Sequence, residues 1–276
     1  MISLILATKG YKKQDINRFL NSIKLSNSTL FEVIVVCQDR KGYLDELISN
    51  YKFEIRILYT ITGLSRSRNI GIKNAKGNIL AFPDDDCVYP ENLIEKINLF
   101  FEKRKEIDII SFNVFDLSNS YRLPFVKVSK SRELSMKDIS FGVSSISIFH
   151  RNNKNIFFDE DFGMGAKYNS SEEFDYVLRL MQAKSRLWFS EKYRVLHPDS
   201  SGYKSKNIYK RTRRNAVGHG AYFKKNLGDL GLIYTFEHLF LRPFFGFLYY
   251  SILFEWKKAI SSLILLYGRL KGFLSY

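Results

Sequence analysis

Over the first 113 residues, short apolar segments rich in β-branched residues alternate with segments in which apolar residues recur at helical spacing. The apolar runs are residues 2–7, 31–37, 53–59, 78–82 and 107–113, and strands buried on both faces have this near-continuous composition. The intervening segments 11–25, 42–51, 65–75 and 90–105 are predicted to be helices, with Ser65 as a cap and Pro90 at a first helical position. This alternation predicts an α/β fold with a mostly parallel sheet that is covered by helices on both faces.

The pattern is less regular beyond residue 113. Segments 144–150 and 187–196 have strand character, segment 171–183 is predicted to be a helix, and the chain is predicted to be helical from residue 206 to its end. We therefore expect one domain over residues 1–203, with halves at about 1–113 and 114–203. A helical C-terminal region is expected over residues 204–276.

Most of the excess positive charge lies in that C-terminal region. The net charge is +15, from 43 lysines and arginines against 28 acids, and residues 203–276 contain 13 of these basic residues but only three acids. Such a bias predicts an anionic partner, and both an acidic membrane and nucleic acid qualify.

Apolar residues interrupt the basic ones in the same region. The longest nearly continuous apolar stretch, residues 244–254, is too short to cross a bilayer core of ~30 Å as a helix. Interrupted apolar runs flanked by basic residues are typical of helices that lie in an anionic membrane interface. A helical subdomain or a homo-oligomer interface could bury the same residues, and that alternative stays open.

Cys37 and Cys87 show no zinc-ligand spacing, and two thiols do not make a disulfide framework. The N-terminus MISLILATKG is interpreted as a buried strand rather than a signal peptide, because no basic region precedes its short apolar run. We therefore expect a reducing, cytoplasmic location.

Three consecutive carboxylates, Asp84, Asp85 and Asp86, follow the predicted strand 78–82. Ligands of parallel α/β sheets bind beyond the carboxyl ends of the strands, which is where these residues fall. Isolated buried charge is costly and neighbouring carboxylates repel one another, so a compensating cation is expected. A divalent ion that takes oxygen ligands, Mg²⁺ or Mn²⁺, fits this cluster. The alternative is a solvated acidic turn.

The stretch GLSRSRNIGI, residues 63–72, places Arg66 and Arg68 in the first turns of a predicted helix. Arginine beside a helix N-terminus suits a phosphate, although a surface helix with ordinary basic residues is the alternative. The longer stretch GLSRSRNIGIKNAKGNILAFPDDDCVYP resembles the segment that joins the Arg-Asn-x-Gly helix to the Asp-x-Asp motif in family 2 glycosyltransferases. The resemblance covers about the first two thirds of the chain and implies a GT-A fold with a Rossmann-like sheet.

The resemblance also implies roles for single residues. Asp86 would bind the metal that bridges the nucleotide diphosphate, while Asp84 and Asp85 would hold the ribose, the metal's water shell or both. Arg68 would lie near the base or the pyrophosphate, and Thr8, at the end of the first strand, is a candidate backbone contact. Asp39 follows the second strand, where family members often contact the base, but CQDR departs from the commoner Asp-Asp-x-Ser.

His197 follows the predicted strand 187–196 and precedes a proline. A lone histidine at such a position is more often a structural hydrogen-bonding residue. In related enzymes a histidine after this strand can reach the metal or the diphosphate, and we therefore include His197 as a metal-ligand candidate.

The stretch FDEDFGMGAKYNSSEEFDYVLRLM, residues 158–181, resembles the acceptor region of the same family. Sugar transfer with inversion needs a carboxylate that takes the proton of the acceptor hydroxyl. Glu173 matches the position of this base, with Glu172 beside it as the second candidate. An acidic helix start that is favoured by the helix dipole is the alternative interpretation.

The resemblance thus implies an inverting, metal-dependent glycosyltransferase of the hexosyltransferase type. Its donor would be a nucleotide-diphosphate sugar, with a UDP-sugar favoured, and its acceptor a glycan or a lipid-linked glycan of cell-surface polysaccharide synthesis. We expect it at the inner face of the cell membrane, without nucleic acid as a partner. The alternatives are a nucleotidyltransferase, which also places metal-binding aspartates after a strand, and a non-enzymatic basic protein that binds membrane or nucleic acid.

Overall fold

The computed structural model describes residues 1–38, 44–199 and 208–276. Its strands are β1 (Ile2–Thr8), β2 (Phe31–Gln38), β3 (Ile55–Thr60), β4 (Ile79–Ala81), β5 (Ile109–Phe115), β6 (Arg132–Leu134), β7 (Ile148–Arg151) and β8 (Leu187–Leu196). The first half of the chain has helices α1 (Lys13–Ile23), α2 (Asp45–Ile48), α3 (Leu64–Asn74) and α4 (Leu93–Lys103). They are followed by α5 (Ile139–Gly142), α6 (Glu172–Gln182), α7 (Ile208–Lys225), α8 (Leu227–Leu230) and α9 (Leu232–Phe236). A π-helical segment (Glu237–Leu241) leads into α10 (Arg242–Ile252), and α11 (Trp256–Ser275) is last.

The eight strands form one sheet in the order β3-β2-β1-β4-β7-β5-β8-β6. The pairs β1–β2, β2–β3, β1–β4 and β5–β8 are parallel, whereas β7 is antiparallel to both of its neighbours and β6 is an antiparallel edge strand. The predicted α/β fold, with a mostly parallel sheet and a helical C-terminal region, is confirmed.

Two predicted helix starts are wrong. Ser65 lies inside α3 rather than capping it, because the chain turns at Gly63, whose φ of 149° is outside the range of most L-residues. Helix α4 begins at Leu93, not at Pro90, because Asn92 adopts a left-handed conformation (φ 59°) that separates the proline from the helix.

Two other predicted elements are shorter than expected. The described part of the predicted helix 42–51 contains only α2, which buries none of its residues and so gains little from packing. In the predicted strand 144–150, Ser145–Ser147 form a 3₁₀ turn and β7 begins at Ile148.

Two compact units make up the chain. Unit 1 comprises residues 1–158 and 176–199 and contains the sheet, whereas unit 2 comprises residues 159–175 and the chain from residue 200 onward, described from residue 208. In unit 1, β1 and β2 are almost wholly buried, as their apolar sequences predict. Both cysteines are buried in this unit, Cys37 at the end of β2 and Cys87 after the acidic cluster.

A cluster of aromatic rings is buried beside β4 and β7. The ring of Phe158 stacks on Tyr176 with centroids 4.0 Å apart, and Phe82 meets both rings edge-on. His150 stacks on Phe82 and shares a 3.0 Å hydrogen bond between its Nε2 atom and the Tyr176 hydroxyl. Burial lowers the pKa of His150 to about 4, so the imidazole is neutral at pH 7.

Unit 2 is held together by an ion-pair centre and by close helix packing. The ammonium of Lys225 lies 2.6 Å from Asp159 Oδ2 and 2.7 Å from Asp175 Oδ1, and Asp175 is fully buried. Helices α7 and α11 approach so closely that a Cβ atom added at Gly272 would lie 1.9 Å from the carbonyl oxygen of Val217. The absence of a side chain there permits the helix crossing.

Candidate functional site

The candidate site lies at the carboxyl ends of β1 and β4, where the loops after these parallel strands meet. The Thr8 hydroxyl, at the end of β1, donates a 2.8 Å hydrogen bond to Asp85 Oδ2 and accepts one of 2.9 Å from the Gly10 amide. The Thr8 hydroxyl therefore fixes Asp85 against the end of β1.

Asp84 faces a buried arginine from α3. The Arg68 guanidinium lies 3.5 Å from Asp84 Oδ1, and its side chain is only 2% exposed. Its charge is sandwiched near the rings of Phe82 and Phe158, at 5.9 and 5.3 Å from their centroids. These contacts fix the direction of the guanidinium, so Arg68 orients Asp84 as a rigid cation.

The other two motif positions of the Arg-Asn-x-Gly stretch, Asn69 and Gly71, make structural contacts in unit 1. Asn69 makes two hydrogen bonds to the backbone of Phe158, donating to its carbonyl (2.9 Å) and accepting from its amide (2.7 Å). A Cβ at Gly71 would lie 2.2 Å from Ile5 Cγ2, so glycine lets α3 pack directly on β1. These contacts place Arg68 at a fixed height above the sheet.

Asp86 is paired with a histidine that a backbone bridge brings beside it. Val88 and Leu196 exchange hydrogen bonds of 2.8 and 2.9 Å, which brings the residue after β8 next to the acidic loop. His197 Nε2 lies 3.0 Å from Asp86 Oδ1, and Nδ1 lies 2.7 Å from the carbonyl of Pro198. Because the carbonyl can only accept, Nδ1 carries a proton, and Nε2 must then be protonated or face a cation if it is not to repel the carboxylate.

Lys12 supplies a cation from the loop after β1. Its ammonium lies 2.9 Å from Asp86 Oδ2 and 3.3 Å from Asp85 Oδ1. Sequence reasoning missed Lys12, and Arg18, whose guanidinium lies 3.4 Å from the Asp86 carbonyl, was missed as well. The available signal was a basic residue shortly after β1, at the sheet edge where the acidic cluster was expected.

Loss of hydration and neighbouring charges act in opposite directions on these groups. Reduced hydration raises the pKa of Asp84, although 40% of its side chain is exposed, and the charges of Arg68 and His197 only partly oppose this. Burial alone would raise the pKa of Asp86, but hydrogen bonds from His197 and Lys12 outweigh it and hold that pKa below its ordinary value. Burial lowers the pKa of His197, yet its hydrogen bond to Asp86 and the nearby carboxylates raise it overall.

Within the described ranges, Asp84, Asp86 and His197 form the group that could hold a metal ion, since one ligand atom of each lies within 4.8 Å of the others. Ligand atoms around a bound divalent ion are roughly 3–4 Å apart, so only small side-chain rotations separate this arrangement from a coordinating one. These carboxylates raise the pKa of His197 and pair with the Lys12 ammonium, so the cluster favours a positive charge. The residues therefore fit a metal ion.

Two predicted site residues belong to unit 2, and a third is not among the described residues. Asp39 is outside the described residues. Glu172 and Glu173 begin α6 within unit 2, where Glu172 is 7% exposed and Glu173 is half-buried. Of the two carboxylates, Glu173 is the more accessible to a substrate.

Comparisons with known proteins bear on this geometry. The model of the family described as glycosyl transferase family 2 matches residues 3–157, which include β1, α3 and the acidic loop. An uncharacterized glycosyltransferase of Haemophilus influenzae is 27% identical over 196 residues. That match covers 67% of this chain and 63% of the relative, so the chain spans less than two thirds of the relative's length.

Solved structures of S. aureus TarS share the fold. Residues 1–349 of TarS in complex with UDP align with 100% of this chain and 88% of theirs, at a TM-score of 0.60 and 17% identity. The complex with UDP-GlcNAc aligns with 100% of this chain and 89% of its own, at a TM-score of 0.59 and 17% identity. At this identity the likeness concerns the fold, and it agrees with the GT-A architecture that the sequence predicts.

Proposed function

The chain belongs to glycosyl transferase family 2, and we propose that it is an inverting enzyme that transfers a sugar from a nucleotide-diphosphate sugar, with a UDP-sugar favoured. The observation that carries this proposal is the cluster of Asp84, Asp86 and His197 at the carboxyl edge of the sheet. The binding of UDP and of UDP-GlcNAc by TarS, which has a similar fold, supports a uridine nucleotide donor. The proposed acceptor is a glycan or a lipid-linked glycan of cell-surface polysaccharide synthesis.

Asp84, Asp86 and His197 would hold a divalent cation, which when bound neutralises the charge that develops on the leaving diphosphate. Mg²⁺ prefers an all-oxygen shell with several waters, whereas an imidazole nitrogen together with carboxylate oxygens also suits Mn²⁺. The donor set therefore favours Mn²⁺ over Mg²⁺. Arg68 would keep Asp84 oriented, and its charge opposes protonation of that carboxylate.

Lys12 has a second task in this proposal. In the described arrangement it neutralises Asp85 and Asp86, and its side chain is 52% exposed and so free to rotate. When a cation binds, the ammonium would be displaced towards the donor and could meet a phosphate oxygen as a point charge. Thr8 and Asp85 would then face the ribose, and Asp39 would lie near the base.

On the acceptor side, Glu173 would take the proton of the acceptor hydroxyl, with Glu172 as the second candidate. The burial of Glu172 favours a structural task for that residue. Glu173 is only half-buried, which agrees better with a base that meets a substrate.

We further propose that residues 204–276 make a peripheral contact with the inner face of the cell membrane. Between residues 208 and 276 there are 11 lysines and arginines but three acids, which favours attraction to anionic lipids. Among the described helices none is both long enough and apolar enough to span a bilayer.

The proposed donor site is tested by calorimetry with UDP, GDP and dTDP, each with and without Mn²⁺. We expect one nucleotide to bind in a Mn²⁺-dependent manner, and Asp86→Asn to weaken this binding by roughly 10²-fold or more and to abolish turnover. Asp108→Asn is the matched control, because Asp108 lies in unit 1 outside the cluster and accepts a hydrogen bond from the Arg186 amide. Binding of no nucleotide, or Mn²⁺-dependent binding that Asp86→Asn leaves unchanged, would overturn the proposed site.

A further inference from the structure

The turn between α10 and α11 holds large apolar side chains in solvent. We call Ile252, Leu253, Phe254 and Trp256 the apolar tip, and their exposed fractions are 75%, 47%, 78% and 57%. Four neighbouring side chains of this size rarely face water together unless they meet a partner. The exposure of these side chains therefore indicates that the tip contacts a binding partner.

Phe254 adopts a backbone conformation that disfavours its own side chain. Its φ is 56°, in the left-handed region that bulky residues seldom enter. The amide of Phe254 donates to the Ser251 carbonyl and that of Glu255 to the Tyr250 carbonyl, so the turn is closed by its own hydrogen bonds. An asparagine or glycine would fit this turn better, and strain retained beside an exposed aromatic ring points to a function for the ring.

Basic residues lie beside the tip and farther along α11. Lys257 and Lys258 follow the tip directly, with Lys258 paired to Glu255 in the turn itself, and Lys210 and Arg213 of α7 line a cleft along α11. The placement of α7 follows from its side-chain contacts, since Arg213 lies over Tyr267 and Lys224 over Phe273, so the two helices run in the same direction. A cleft of about 670 Å³ is lined by Lys210 and Arg213 from the start of α7 and by apolar side chains of α11 from Ile260 onward.

The opposite end of the α9–α10 segment has comparable apolar exposure but different neighbouring charges. Leu232 and Ile233 are 74% and 87% exposed, and they lie between Asp229 and Glu237. About 20 residues of helix place them roughly 30 Å from the tip. Lys257 and Lys258 beside the tip therefore favour an anionic surface there, whereas the α9 end has no comparable pair of lysines next to its exposed residues, and its Glu237 is paired with Arg242.

We propose that the apolar tip inserts into the interface of an anionic phospholipid bilayer, with Lys257 and Lys258 at the level of the headgroups. Aromatic side chains such as Trp256 and Phe254 favour this interfacial region, and nearby cations add electrostatic attraction. This inference deepens the proposed peripheral membrane contact by assigning it to one turn, and it does not depend on the proposed sugar transfer.

A second copy of the chain is a weaker occupant for two reasons. Symmetric pairing of tips would place Lys257 and Lys258 against their own copies, which costs electrostatic energy. A stable interface also buries about 800 Å² on each partner, and a convex tip of four side chains offers little of that area.

Trp256 provides a built-in test, because the chain has only two tryptophans and Trp188→Phe leaves it as the sole tryptophan fluorophore. With this full-length variant, vesicles of phosphatidylcholine and phosphatidylglycerol should shift the Trp256 emission to the blue, and lipids brominated on their acyl chains should quench it. Pure phosphatidylcholine vesicles should have a much smaller effect. An unchanged emission with both vesicle types would overturn the proposal, as would a blue shift that rises with protein concentration in the absence of lipid.

Variants separate the tip from the rest of unit 2. Phe254→Asn should weaken vesicle partitioning roughly tenfold while raising the melting temperature, because asparagine tolerates the left-handed backbone. Lys257→Ser with Lys258→Ser should weaken vesicle partitioning by on the order of tenfold at low salt.

The matched control is Leu232→Ser with Ile233→Ser, which should leave partitioning unchanged. If the control weakens partitioning and Phe254→Asn does not, the membrane contact stands but its assignment to the tip is wrong. If the wild-type protein binds its nucleotide but no vesicles, the membrane contact is rejected and the proposed donor site is unaffected.

Discussion

The two units differ in the kinds of side chain that they expose. Unit 1 buries its apolar residues in a sheet and gathers charged groups at one edge, where carboxylates, lysine, arginine and histidine neutralise one another. In the described part of the chain, 16 of the 24 large apolar residues that are exposed lie between residues 232 and 276. A polar edge of this kind recognises a small charged ligand, whereas a basic surface with exposed apolar residues suits an extended one. The difference supports the proposals that donor chemistry takes place in unit 1 and that unit 2 contacts larger partners.

The largest expected effect tests whether unit 2 takes part in the chemistry at all. Glu173→Gln removes the proposed base but keeps the shape of the side chain, so transfer should fall by roughly 10²–10⁴-fold while nucleotide binding stays unchanged. Glu172→Gln is the matched neighbour and should cost less. Steady-state kinetics and calorimetry on both variants decide this. A reversed ranking would move the base by one residue, and full activity in both would confine the chemistry to unit 1.

The next prediction concerns the core of unit 1. Because the folded-state pKa of His150 is about 4 and the ordinary value is 6.5, the unfolded chain takes up a proton first as the pH falls. The contribution of His150 to stability is therefore complete above about pH 6.5 and is lost as the pH falls towards 4, by about 3 kcal/mol.

Denaturant titrations at several pH values should show this loss in the wild type and a smaller one in His150→Gln. The difference between the two proteins removes the contribution of the carboxylates, which titrate in part of the same range. Equal slopes between pH 6.5 and pH 4 would mean that His150 is not held neutral in the core.

The smallest expected effect is on stability, and it tests whether the helices of unit 2 are closely packed. Gly272→Ala places a Cβ against the backbone of α7 and should cost about 1–3 kcal/mol of stability. Gly228→Ala is the control, since a Cβ there meets nothing within 4 Å. Thermal melts should show a lower transition for the first variant only. Equal melting temperatures would mean that α7 and α11 are packed more loosely than described.

The sequence was most informative where local pattern and position coincide. The buried runs that became β1, β2 and β5 have strand composition throughout, and the acidic residues after β4 fall beside the end of β1 because these two strands are parallel. Tertiary contacts determine the positions of the other residues of the candidate site. The position of His197 depends on a bridge between Val88 and Leu196, which are more than 100 residues apart in the chain. Lys12 was missed because it lies in the loop after β1 and reaches the acidic loop only through its long side chain.

The two helix starts that were predicted wrongly are determined by the backbone conformation of single residues. A left-handed Asn92 delays α4, and the unusual φ of Gly63 starts α3 before the serine that the sequence offers as a cap. Composition does not reveal which of several small or polar residues will take such a conformation. The assignment of Glu173 as base still rests on the resemblance to the family, because α6 begins with two adjacent glutamates that differ mainly in burial.

The buried thiol of Cys87, directly after Asp86, gives the candidate site an intrinsic kinetic reporter. Burial raises the pKa of this thiol well above its ordinary value, so the reactive thiolate is scarce in the closed state. An alkylating reagent can then modify Cys87 only when the loop that carries the acidic residues opens. The rate of that modification would measure how often the loop opens, and its slowing by a ligand would measure how much of the binding free energy goes into holding the loop closed.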